Sequence, residues 1–193
     1  MERFPPMRPE DMDAAQHKMS DHYRAGWRGK LVQADGRLGG PLDTMLRAPE
    51  LASRISHLSD YFRTGVSLPQ RLNEMAIIMT AAFNRSHYEW AVHRPWAERE
   101  GLSPAIGDAL MVGKRPSNMA PDEEVVYDLV SELERDKEVS DATFARARKL
   151  LTDQQIIEVV TVSGLYTTVA RILAIAQIPA PGDNPAPLGK RAA

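Results

Sequence analysis

Start signals for helices punctuate this chain from end to end. Proline is tolerated in the first turn of a helix, and acidic residues there face the positive end of the helix dipole. Pro9-Glu10-Asp11, Pro49-Glu50 and Pro121-Asp122-Glu123-Glu124 all have this form. Ser67 with Gln70, and Thr152 with Gln155, have the spacing of a capping box, and Ser103-Pro104 opens a further turn. Read with the stops at Gly65, Gly101 and Gly113, these signals predict helices over residues 9–27, 49–63, 68–84, 87–100, 103–113, 121–136, 140–151 and 152–176. Runs that alternate apolar with polar between turns are missing, so the predicted fold class is all-α. The last helix carries Ile156, Ile157, Val159, Val160, Val162, Leu165, Val169, Ile172 and Leu173 on more than one side. That predicts a central helix or one buried between subunits. The glycines of residues 32–41 mark a loop. Residues 1–178 read as a single domain, followed by a Pro-rich flexible tail over 179–193 that holds Pro179, Pro181, Pro185 and Pro187.

Composition narrows the chemistry. The chain has no cysteine, which removes disulfides, thiolate nucleophiles and cysteine-ligated metals. Its 24 basic and 26 acidic residues leave a net charge of -2, against a nucleic-acid surface. No phosphate-cradling glycine motif occurs, and Ser86 lacks the GxSxG setting of a serine nucleophile. Glu74, Glu89 and His93 form neither an HExxH nor an ExxH pattern, so neither a metal nor another cofactor is predicted. No uninterrupted apolar run reaches the roughly 18–20 residues of a membrane span, and the first residues show no secretory stretch. The expectation is a cytoplasmic protein without a membrane partner.

Two segments carry candidate chemistry. In helix 68–84, Leu68, Leu72, Met75, Met79 and Phe83 form one apolar stripe, and Ile77, Ile78 and Ala81 form another. Glu74 lies within the second stripe, which predicts a buried carboxylate: a structural ion pair, with Arg71 for example, or an acid/base group. In the next helix, Glu89 and His93 are four residues apart and share a face bordered by Trp90, Trp96 and Ala97. A histidine beside apolar rings and a carboxylate is either a hydrogen-bonded structural residue or a proton carrier. Pro95 cannot donate to the carbonyl of Ala91.

The text SLPQRLNEMAIIMTAAFNRSHYEWAVHRPWAEREGLS over residues 67–103 resembles the carboxymuconolactone decarboxylase family, which includes the alkyl hydroperoxidase D-like proteins. The stretch 40–63 and the helix from Thr152 to Ala176 also resemble it, with a family core over about 40–113. Redox members carry a CxxC followed four residues later by His, and those positions here are Ser86, Glu89 and His93. Thiol peroxidase chemistry is therefore excluded. The resemblance implies an oligomeric, all-helical bundle, a trimer or hexamer with sites near subunit contacts. It implies His93 and Glu74 as the catalytic pair, with Ser86, Tyr88, Glu89, Trp90, Trp96 and Tyr166 contacting substrate. The implied activity is a cofactor-free decarboxylase of the 4-carboxymuconolactone type, an enzyme of aromatic catabolism whose partner is a small carboxylate or lactone. A hydrolase, isomerase or lyase on a related lactone, or a non-catalytic ligand-binding oligomer, are the alternatives. Arg71, Arg85 and Arg94 are candidates to hold a substrate carboxylate.

Overall fold

The computed structural model describes residues 3–184 and 186–189. A 3₁₀ turn, Pro9–Asp11, precedes α1, Ala14–Ala25. A second 3₁₀ segment, Trp27–Leu31, leads through a loop to α2, Pro41–Met45, and α3, Pro49–Thr64. Then follow α4, Gln70–Asn84; α5, His87–Arg99; α6, Pro104–Met111; α7, Pro121–Arg135; α8, Asp141–Leu150; and α9, Asp153–Ala176. Among the described residues the extended pairing is limited to an isolated bridge between Val32 and Leu38. The all-α reading stands.

The predicted 9–27 helix is instead broken. Met12 is extended, and Asp13 restarts the chain as an N-cap whose side chain accepts from Gln16 N while Gln16 returns the bond. That local box was present in the sequence and outweighs the weaker proline signal.

α4 is the axis of the fold. From Leu72 to Ala81 every residue is buried, because α5, α7 and α9 pack around it. Each fully buried Met or Ile contributes about 1.5–3 kcal/mol. α9 is long and apolar enough to cross a bilayer, with 24 residues and a mean hydropathy of 1.6 in its best window. Here it serves as a core helix: Ile156, Val159, Val162 and Leu165 join the main cluster. Its outer side leaves Ile157 and Ile175 exposed.

The Thr152–Gln155 capping box forms as predicted, and the Ser67–Gln70 box does not. Ser67 N and Oγ donate instead to Glu158 on α9, at 3.0 and 2.8 Å, and Leu68 N donates at 2.9 Å. Tyr61 Oη and Gln154 Nε2 complete the shell. Burial alone would raise the Glu158 carboxyl, but these donors outweigh it and hold it down at about 2. A carboxylate from a distant helix thus ties down the turn that enters α4.

Residues 19–52 build a smaller second cluster around Tyr23, Leu42, Leu46 and Ala52. The tail is anchored along its described part. Ala180 and Leu188 are buried, Leu188 joins the main core, and Arg85 Nη2 donates to Gly189 O at 2.6 Å. Pro185 and residues 190–193 lie outside the described residues.

Candidate active site

A cavity of about 400 Å³ opens between the N-terminal segment and the α4–α5–α9 core. α4 supplies Glu74 and Ile77, α5 supplies Tyr88, Glu89, Val92, His93 and Trp96, and α9 supplies Leu165, Tyr166 and Val169. Tyr23, Trp27, Arg28 and Leu31 close the remaining side together with residues of α2 and α3. The α5 residues share an arc because helical residues advance 100° each, so 89, 93, 92 and 96 fall together.

Glu74 is buried, and its partner is not Arg71 but His93, whose Nδ1 lies 2.8 Å from Glu74 Oε2. Arg71 is committed elsewhere, to Asp122 at 2.7 Å and to Glu123. A carboxylate on Nδ1 fixes the imidazole tautomer and leaves Nε2 as the nitrogen that can take or give a proton. The His93 ring meets Tyr166 edge-on at 4.8 Å and Trp96 at 5.9 Å between centroids. Burial, then the charges of Glu74 and Glu89, drive the Tyr166 phenol well above its usual value. It keeps its proton and can act as a donor.

Glu89 does not bond to His93. It is 2% exposed, and neither of its oxygens has a hydrogen-bond partner. Burial pushes its carboxyl up to about 8; the neighbouring Ser86 hydroxyl offsets this only in part and makes no hydrogen bond. Glu89 is thus held neutral near pH 7, whereas Glu74 has the His93 ring as its hydrogen-bond partner.

Tyr88, Glu89, Trp96 and Tyr166 line the cavity. Trp90 and Ser86 do not: Trp90 is 3% exposed and packs in the main core. With Ala97 it falls on the neighbouring face of α5, away from His93. Tyr88 is packed against Gly40, where a Cβ would stand 2.4 Å from its hydroxyl.

The three arginine candidates are corrected as well. Arg94 pairs with Glu98 and Asp108, Arg85 with the tail, and Arg71 with α7. The cavity arginines are Arg28, Arg63 and Arg99. Arg28 is itself buried and paired with Asp60 at 2.9 Å. These residues were missed because they reach the cavity through tertiary packing; the cluster Tyr23, Trp27, Arg28 was the one available signal. Among the described residues no three His, Asp or Glu side chains converge as a metal site, so Glu74, Glu89 and His93 are not assembled as a ligand set.

No family model and no curated protein matches the sequence. Solved structures do match in shape. An uncharacterised peroxidase-related protein from Silicibacter sp. TM1040 superposes with a TM-score of 0.71 at 17% identity, over 91% of this chain and 88% of that one. A peroxidase-related protein from Ralstonia eutropha JMP134, described as an alkylhydroperoxidase AhpD core, gives 0.70 at 15% identity over 93% and 92%. A protein of unknown function from Agrobacterium tumefaciens, described as a putative antioxidant defence protein AhpD, gives 0.65 at 17% identity over 73% and 97%. The chain has the alkyl hydroperoxidase D-like helical fold, here built without cysteine.

Proposed function

We propose that this chain is a cofactor-free, cytoplasmic carboxy-lyase of the 4-carboxymuconolactone decarboxylase type, acting on a carboxylate-bearing lactone. The observation that carries this reading is the Glu74–His93 pair inside a largely apolar cavity. In the reaction the C–CO₂ bond breaks and its electron pair moves into the conjugated carbonyl system. His93 Nε2 then delivers a proton to carbon and carbon dioxide leaves. Glu74 holds the ring through Nδ1 and supports the cation that precedes delivery. Tyr166, which retains its proton, donates to the oxygen on which negative charge develops. Ile77, Leu165 and Val169 form an apolar wall that favours loss of the substrate's charge. General acid catalysis of this kind contributes about 10²–10⁴-fold.

A lactone isomerase is the second reading. Glu89, a carboxyl that keeps its proton beside a histidine, supplies both an acid and a base. We also propose a homo-oligomer, a trimer or hexamer, supported by the exposed Leu51 and Leu58 of α3 and Ile157, Val160 and Ile175 of α9.

The test is turnover of freshly generated 4-carboxymuconolactone by the purified protein, with and without chelator, beside related lactones lacking the carboxylate. Chelator-resistant release of carbon dioxide supports the decarboxylase. Rearrangement of a lactone without carbon dioxide supports the isomerase, and no turnover by a folded oligomer removes both.

A further inference from the structure

Arg63, at the exposed end of α3, lines the cavity mouth and has no carboxylate partner among the described residues. Its guanidinium lies over two indole rings, 4.3 Å from the Trp27 centroid and 4.5 Å from the Trp96 centroid. Cation–π contact with two rings restrains the guanidinium, whose N–H groups have no carboxylate partner among the described residues. The arrangement is held from behind. Trp27 Nε1 donates to Asp60 Oδ1 at 2.9 Å, and Asp60 stands one turn before Arg63 on α3. Trp96, on its other side, meets His93 edge-on. The guanidinium and the imidazole thus flank the same indole ring.

We propose that Arg63 is the carboxylate anchor of this cavity. It binds a small-ring carboxylate bidentately and sets the ring across Trp96 toward His93. The anion site does not rest on the decarboxylase reading above; the orientation of the ring toward His93 does. Arg28 cannot take the role, being tied to Asp60 and to the Ser56 carbonyl. Arg99 is exposed at the rim as Arg63 is, but no aromatic ring packs on its guanidinium among the described residues.

The probes are benzoate and benzyl alcohol, which share a ring and differ in charge. Binding to the full-length protein is followed by calorimetry and by tryptophan fluorescence, since two of the three tryptophans flank Arg63. Wild type is expected to prefer benzoate by about tenfold or more. Arg63→Met should bring the two probes within about twofold, Arg63→Lys should fall between, and Arg99→Met should match wild type. Arg63→Lys also guards against collapse of the indoles around a shortened side chain. Equal benzoate binding by wild type and Arg63→Met, loss in Arg99→Met alone, or no benzoate binding by wild type would overturn the proposal. Benzoate selectivity without any lactone turnover leaves the anion site standing and removes the decarboxylase reading.

Discussion

Replacing Glu89 by glutamine should make this protein more stable, and only where the pH is high enough. The carboxyl is buried without a hydrogen-bond partner, and burial raises it from its ordinary 4.5 to about 8. Between those values the folded chain holds a proton that the unfolded chain has released, so wild-type stability falls as pH rises. Below 4.5 both states are protonated and the effect vanishes; above about 8 the loss levels off. Each pH unit within the window costs about 1.4 kcal/mol, so the accumulated loss at pH 7 is about 3 kcal/mol. Glutamine has nearly the same shape and does not ionise. Its amide carries a desolvation cost of about 1–3 kcal/mol, similar to that already borne by the neutral acid, so the two largely cancel. Glu89→Gln should therefore gain about 2–3 kcal/mol at pH 7 and almost nothing at pH 4.5. Urea unfolding of both proteins at pH 4.5, 6 and 7.5 measures the difference. A gap that does not widen with pH, or a glutamine variant less stable at pH 7, would refute the argument that Glu89 sits uncompensated.

Glu158→Gln should act in the opposite sense. Its carboxyl is lowered from 4.5 to about 2, so its contribution is present above 4.5 and is lost as pH falls toward 2. With Tyr61 and Gln154 at the surface and solvent screening part of the site, a loss of about 2 kcal/mol at pH 7 is expected by urea unfolding, shrinking in acid. Gly40→Ala forces a Cβ to 2.4 Å from the Tyr88 hydroxyl at a backbone φ of 61°, and should cost about 1–3 kcal/mol. Adding Tyr88→Val should recover the clash and leave the backbone strain, as a double-mutant cycle would resolve.

What the sequence disclosed was what neighbours in the chain decide. Thr152 and Gln155 cap α9 because both partners lie within one turn. The same pattern at Ser67 and Gln70 fails because Glu158, 91 residues away, takes the Ser67 N–H. Burial of Glu74 followed from two stripes on one helix, yet its partner lay on another helix and was reached only through a family resemblance. The α5 face could be listed, but not which side of it met the core, so Trp90 was drawn toward the cavity when it packs away from it. The packing of Arg63 is not legible in the sequence, because its two rings come from the N-terminal segment and from α5.

The central claim is that His93 carries the proton and Glu74 positions it. The most direct measurement is kcat with 4-carboxymuconolactone for wild type, His93→Ala and Glu74→Gln. Histidine ¹⁵N spectra of wild type and Glu74→Gln would be recorded beside it. The account predicts a fall of about 10²–10⁴-fold for His93→Ala. For Glu74→Gln it predicts a smaller fall in kcat with KM little changed, together with loss of the Nδ1-protonated ring signature. Variants that fold like wild type and turn over within about twofold of it would contradict the account.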